Sequence, residues 1–113
     1  MTQATNEQWD AGAAVSAADL IELQPGGVVS RTIVKKKTGT VTVFAFDADE
    51  GLSEHTTPFD ALLMSLEGEA NITISGTAHA VKTGEIIKLP AGEPHAVKAT
   101  TPFKMLLIMI REG

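Results

Sequence analysis

The stretch Gly84-Glu-Ile-Ile-Lys-Leu-Pro90-Ala-Gly92-Glu-Pro94-His95 decides the reading of this chain. Gly84 permits a tight turn, and a short apolar run follows it. Pro90 lacks a backbone donor and stops that strand, and Gly92 bends the loop. The chain then re-enters a strand at His95, with the imidazole on the inward face. A histidine delivered to a strand start by so constrained a loop is a candidate functional group.

The pattern is β in both directions from this point. Thr40–Phe46 (TVTVFAF) alternates with period two, as a half-buried strand does. Strands are expected over Val28–Val34, around His55, and over Ala61–Leu66, Ala70–Ser75, Thr77–Val81, Glu85–Leu89, His95–Ala99 and Phe103–Ile110, with a hairpin turn at Ser75-Gly76. Short strands evenly punctuated by Gly and Pro give an all-β sandwich or barrel rather than βα units. Before them, Pro25-Gly26-Gly27 ends a short helical turn. That turn opens at Ser16-Ala-Ala-Asp19, which reads as a capping box with Asp in place of Glu. Residues 1–15 are polar and alanine-rich with a lone Trp9, and read as a flexible N-terminal arm; residues 16–113 form the barrel domain.

The chain of 113 residues suits one domain and contains no cysteine, which excludes disulfides and thiolate metal sites. Its net charge of −5 argues against nucleic-acid binding. The longest apolar stretch, Met105–Ile110, is too short to span a bilayer, and no secretory signal is evident. A cytoplasmic protein that binds neither nucleic acid nor membrane is expected.

The quoted stretch resembles the second cupin motif: G, five residues, P, one residue, G, two residues, H. Every fixed position matches. The first cupin motif reads G, five residues, HxH, three or four residues, E, six residues, G. It is only partly present, from Gly51 through His55-Thr-Thr57-Pro-Phe-Asp60-Ala61 to Gly68. His55 takes the first histidine position and Gly68 the closing glycine. Thr57 stands where the second histidine belongs and Ala61 where the carboxylate belongs, with Asp60 one residue early. The resemblance covers roughly residues 28–110 and points to small single-domain cupins of the cupin 2 conserved-barrel type, of unassigned activity. It implies a double-stranded β-helix, the jelly-roll cupin barrel, with a pocket containing His55 and His95.

In that family these histidines converge on a divalent metal, so the resemblance makes His55 and His95 candidate ligands for Fe, Mn, Ni or Zn; the alternative is a pocket without metal. Strand parity adds Thr57, Ala61, Leu63, Ser65 and Val97 to the expected pocket. Asp60 is the candidate extra ligand, although its parity places it on the opposite face unless a bulge at Pro58 resets the register. Lys104, between two apolar neighbours, is expected to snorkel at the barrel rim. His79 matches no motif position and reads as a structural or surface histidine.

Two functions follow from this. One is a small-molecule-binding cupin with a degenerate metal site, holding a small polar ligand. The other is a metal-dependent enzyme, a dioxygenase, isomerase or decarboxylase, acting on a small polar substrate. Parity also makes both faces of Ala61–Leu66 and Met105–Ile110 apolar. One barrel interior absorbs only one face. The N-terminal apolar residues Trp9, Val15, Leu20, Ile21 and Leu23 are few, so a homodimer covering the second face is expected.

Overall fold

Alternating apolar residues in short strands must bury one face against another layer, and here two antiparallel sheets do so. The computed structural model describes residues 2–3 and 9–113, so residues 1 and 4–8 of the expected arm lie outside the described residues. The strands are β1 (Thr2–Gln3), β2 (Val28–Lys36), β3 (Gly39–Phe46), β4 (Gly51–His55), β5 (Asp60–Glu67), β6 (Ala70–Ile74), β7 (Thr77–Val81), β8 (Ile86–Leu89), β9 (His95–Ala99) and β10 (Phe103–Ile110). One sheet has the order β1-β2-β3-β10-β5-β8 and the other β4-β9-β6-β7. All pairings are antiparallel except β1 beside β2, where Thr2 pairs with Val29 and Gln3 with Ser30. This is the double-stranded β-helix expected from the sequence. Among the described residues no helix is long and apolar enough to cross a membrane.

Strand bounds differ from the sequence expectation where local geometry intervenes. β2 runs on to Lys36 because it pairs with β3 as far as Gly39. β6 stops at Ile74 because Ser75 and Gly76 both take positive φ, the geometry of a two-residue hairpin reversal. β8 begins at Ile86, since the Glu85 carboxylate accepts a bond from the Lys82 amide and belongs to the preceding turn.

The inward faces meet in one core. Phe44, Phe46, Leu63, Ile72, Leu89, Val97, Phe103 and Met105 are all buried there. Each fully buried large side chain contributes roughly 1.5–3 kcal/mol of transfer free energy. Ala61, Leu63 and Ser65 alternate with the half-buried Leu62, Met64 and Leu66 along β5, as parity requires.

A second, smaller cluster lies on the outer side of the large sheet, where Leu20 and Ile21 pack with Val29, Val43 and Ala45 beside Leu66 and Leu106. The residues that deliver Leu20 and Ile21 form a single 3-10 turn, Ala17–Leu20. Its expected capping box is not formed: Ser16 makes no side-chain capping bond. Side chains from the sheet hold the turn instead. Lys104 Nζ donates to the Ala18 carbonyl at 2.8 Å, and Arg31 Nη1 donates to the Leu20 carbonyl at 3.1 Å. Lys104 also pairs with Glu67 at 3.4 Å. It therefore lies beneath the turn rather than at the barrel rim, because the Ala18 carbonyl and the Glu67 carboxylate both face it there.

The turn covers only one end of the outer face. Leu62, Met64 and Ile108 remain half-buried, and Val34, Ile86 and Ile110 are 44%, 59% and 57% exposed. Trp9, Val15 and Leu23 stay largely exposed and add no cover.

Candidate functional site in the barrel mouth

His55 ends β4 and His95 begins β9, and the two residues face each other directly in the antiparallel ladder. Side chains of such a cross-strand pair project to the same face with Cβ atoms about 5 Å apart. The imidazoles accordingly meet edge to face, with ring centroids 4.5 Å apart. Gly51, at the other end of β4, allows this close approach of strands, since a Cβ there would run into the Val97 carbonyl oxygen.

Each ring is held by its own backbone. His55 Nδ1 lies 2.7 Å from the Ser53 carbonyl oxygen, and His95 Nδ1 lies 3.2 Å from that of Glu93. A carbonyl oxygen only accepts, so both Nδ1 atoms carry the proton and donate it. The Nε2 atoms are thereby left with free lone pairs. His55 is exposed, whereas His95 is 6% exposed. Burial, which disfavours the charged ring, lowers the His95 pKa below the usual imidazole value. The Glu93 carbonyl opposes this shift, and the nearby His55 charge adds to it.

Four hydrogen bonds fix the loop that delivers His95. The Asp60 carboxylate accepts from the Ala91 amide at 3.0 Å, and the Thr57 carbonyl accepts from the Gly92 amide at 2.9 Å. At the far side, the Ser75 hydroxyl donates to the Glu93 carboxylate at 3.0 Å, and the Ser75 amide to the Pro94 carbonyl at 2.8 Å. Residues from the partial first motif and from the β6–β7 hairpin thus clamp the second motif.

The two histidines share a cavity of about 30 Å³, whose other walls are apolar. Ala61, Leu63 and Val97 line it as expected, and Leu52, Leu89, Met105, Leu107 and Met109 complete it. Three expected site residues are not among its lining. Thr57 sits past the end of β4, with its hydroxyl accepting from the Phe59 amide at 3.3 Å, because the strand stops at His55 and parity no longer applies. Ser65 does face inward and is 1% exposed, but its hydroxyl donates to the Gly68 carbonyl at 2.8 Å and serves the β5–β6 reversal. Asp60 is exposed on the opposite side of β5, where its carboxylate accepts from the Ala91 amide and anchors the loop outside the cavity. His79 lies exposed on the edge strand β7. Met109 is one of five cavity residues, with Leu52, Leu89, Met105 and Leu107, that motif reading passed over. Its parity with Met105 and Leu107 along β10 was the available signal.

The donor set bears on the metal that the fold implies. Among the described residues no group of three or more His, Cys, Asp or Glu side chains is placed to hold a metal ion. The second-histidine position is occupied by Thr57, outside the cavity, and the carboxylate position by the methyl group of Ala61 inside it. The residues do not fit a centre of three histidines and a carboxylate.

Comparison with known proteins agrees with the fold. The cupin domain family matches over residues 42–110. A conserved protein of unknown function from Streptococcus pyogenes is similar over 100% of this chain and 97% of its own, with 30% identity and a TM-score of 0.89. A cupin superfamily protein from Desulfitobacterium hafniense is similar over 96% and 100%, with 27% identity and a TM-score of 0.88. A cupin 2 conserved-barrel protein from Leptotrichia buccalis shares 42% identity over 83% of this chain and 46% of its own, with a TM-score of 0.81. No curated protein matches. The chain belongs to the cupin domain family.

Proposed function

We propose that this cupin binds a small polar molecule in its barrel mouth, with His55 Nε2 and His95 Nε2 as paired hydrogen-bond acceptors. The observation that carries the reading is the edge-to-face imidazole pair at 4.5 Å, each ring held through Nδ1 by a backbone carbonyl. The burial-lowered pKa of His95 keeps its ring neutral, so the ligand must bring the proton: a hydroxyl or an N–H group. The apolar walls receive its carbon skeleton. A cavity of about 30 Å³ admits only one or two water-sized groups, so the ligand is very small or enters partway past the exposed His55. The enzyme reading, a dioxygenase, isomerase or decarboxylase using Fe, Mn, Ni or Zn, is weaker because it asks for a carboxylate and a third imidazole that the cavity lacks.

Acetamide tests the proposal. With four heavy atoms it gains at most about 6 kcal/mol, so millimolar affinity is expected. Two-dimensional ¹H–¹⁵N spectra of the imidazoles should show saturable shifts at both Nε2 atoms on titration. His95→Ala should abolish the shift at His55. Absence of any saturable change in the unmodified protein would refute the reading.

A further inference from the structure

Strand β10 carries Met105, Leu107 and Met109 along the cavity wall, and its register continues one residue past its end. Ile110 pairs with Gly39 in β3 and with Asp60 in β5. One step further, the Arg111 amide donates to the Thr38 carbonyl at 2.8 Å, and the Arg111 guanidinium carbon lies 4.9 Å from the centre of the Phe59 ring. Thr38 and Phe59 are the next partners in these two ladders. Parity therefore still holds here, and Arg111 and Phe59 share the face of the pair below them, Met109 and Ala61, which is the cavity wall. They stand about 7 Å beyond that pair, at two residues of about 3.3 Å each. At this same end residues 56–59 cross from His55 to β5, and residues 90–94 cross from β8 to His95. Arg111 and Phe59 thus form part of the rim of the mouth that holds the two imidazoles.

We infer that Arg111 recognises the carboxylate of a short hydroxy acid, whose hydroxyl enters the cavity and donates to the imidazole Nε2 atoms. The inference deepens the barrel-mouth reading and rests on it. Volume and charge divide the ligand between two places. About 30 Å³ accepts a hydroxymethyl group and little more, so the rest of the molecule stays at the rim. The cavity walls are apolar apart from the imidazoles, and a carboxylate among them would be costly to desolvate. At the rim it keeps part of its water and meets a cation. Arg111 is exposed and held in place for this role. Its Nε donates to the Lys37 carbonyl at 3.3 Å, and its guanidinium lies against the half-buried Phe59 ring. Both contacts leave the two Nη amino groups for a ligand. Among the described residues no carboxylate pairs with Arg111. Asp60, beside Phe59, is on the opposite face of β5 and is engaged by the Ala91 amide. A guanidinium whose orientation is already fixed loses little entropy in binding a carboxylate through two parallel hydrogen bonds.

Glycolate and its neutral analogue glycolamide test the inference on the full-length chain. Both carry the same hydroxymethyl group, and only glycolate carries the charge. At about pH 8, above the ordinary imidazole range, both should give saturable shifts of the His55 and His95 Nε2 resonances. Glycolate should bind about three- to tenfold more tightly at low ionic strength, and added salt should shrink that margin. Arg111→Gln should bring glycolate to the affinity of glycolamide and leave glycolamide unchanged, with circular dichroism checking the fold. An Arg111 that served structure alone would weaken both ligands alike. Equal affinities in the unmodified chain, a comparison that needs no variant, would overturn the role of Arg111 while leaving the barrel-mouth reading intact. So would an undiminished preference for glycolate in Arg111→Gln. Failure of acetamide, glycolamide and glycolate alike to shift the imidazoles would overturn both.

Discussion

Gly68 closes the β5–β6 reversal at a position where two separate physical constraints coincide, and a pair of substitutions separates them. Its φ is +82°, and a Cβ built there would lie directly against the Pro102 carbonyl oxygen and 2.8 Å from Thr101 Oγ1. Gly76 has almost the same conformation, φ +85°, with no atom within 4 Å of the position of its Cβ. Gly76→Ala therefore reports the conformational cost alone, about 1–2 kcal/mol for an L-residue in the left-handed region. Gly68→Ala adds a backbone collision that no rotamer change relieves. Moving the reversal away from Pro102 disrupts the bond that Gly68 N donates to Thr83 Oγ1 at 3.0 Å and the bond that its carbonyl accepts from Ser65 at 2.8 Å. Each such bond is worth about 0.5–1.5 kcal/mol. The Gly68 variant should thus lose about 2–5 kcal/mol in all. For a domain of this size 1 kcal/mol corresponds to about 4 °C in Tm, so the expected drops are about 8–20 °C for Gly68→Ala and about 4–8 °C for Gly76→Ala. Differential scanning calorimetry of the two variants measures both. Equal drops would refute the steric contribution from Pro102.

Three further outcomes are expected. The His95 pKa is lower in the folded than in the unfolded chain, so below the ordinary imidazole value the unfolded state takes up the proton first; stability should be full above about pH 6.5 and fall as pH drops through the folded pKa, and urea midpoints for His95→Gln should lose this component of the slope. Lys104→Met removes the donor to Ala18 and the partner of Glu67, so amide hydrogen exchange over residues 17–21 should quicken while exchange in β9 stays unchanged; equal protection in both proteins would show that the turn does not depend on Lys104. The expected homodimer would use the uncovered outer face, so light scattering at micromolar concentration should give twice the chain mass, and Ile108→Glu should reduce it to the monomer or precipitate the protein; a monomeric unmodified chain would refute it.

Much of the site was legible because its determinants are local. Gly84, Pro90 and Gly92 act on neighbouring residues, and spacing alone delivers His95 to the start of β9. The pairing with His55 followed from two motif positions. Thr57 was misplaced because parity holds only while a strand continues, and β4 stops at His55. Ser65 was placed on the correct face, but its hydroxyl has a backbone partner three residues away. Asp60 drew attention as a carboxylate beside the expected ligand position; its amide partner, Ala91, lies 31 residues on and carries no sequence signal.

The sequence by itself determined the strand pattern, the barrel class, the loop that presents His95 and the absence of a four-ligand donor set. These rest on backbone preferences, side-chain periodicity and residue identity, which need no knowledge of distant contacts. Tertiary structure alone decided the rest. Lys104 and Arg31, from strands of the large sheet, hold a turn that lacks its own cap. The 3-10 turn shields one end of the outer face and leaves the other open. Strand pairing brings Met109 to the end of the barrel where the histidines meet, within a cavity too small for most organic ligands. Those features depend on which strands lie side by side and in what register, and that is set by packing the whole core at once.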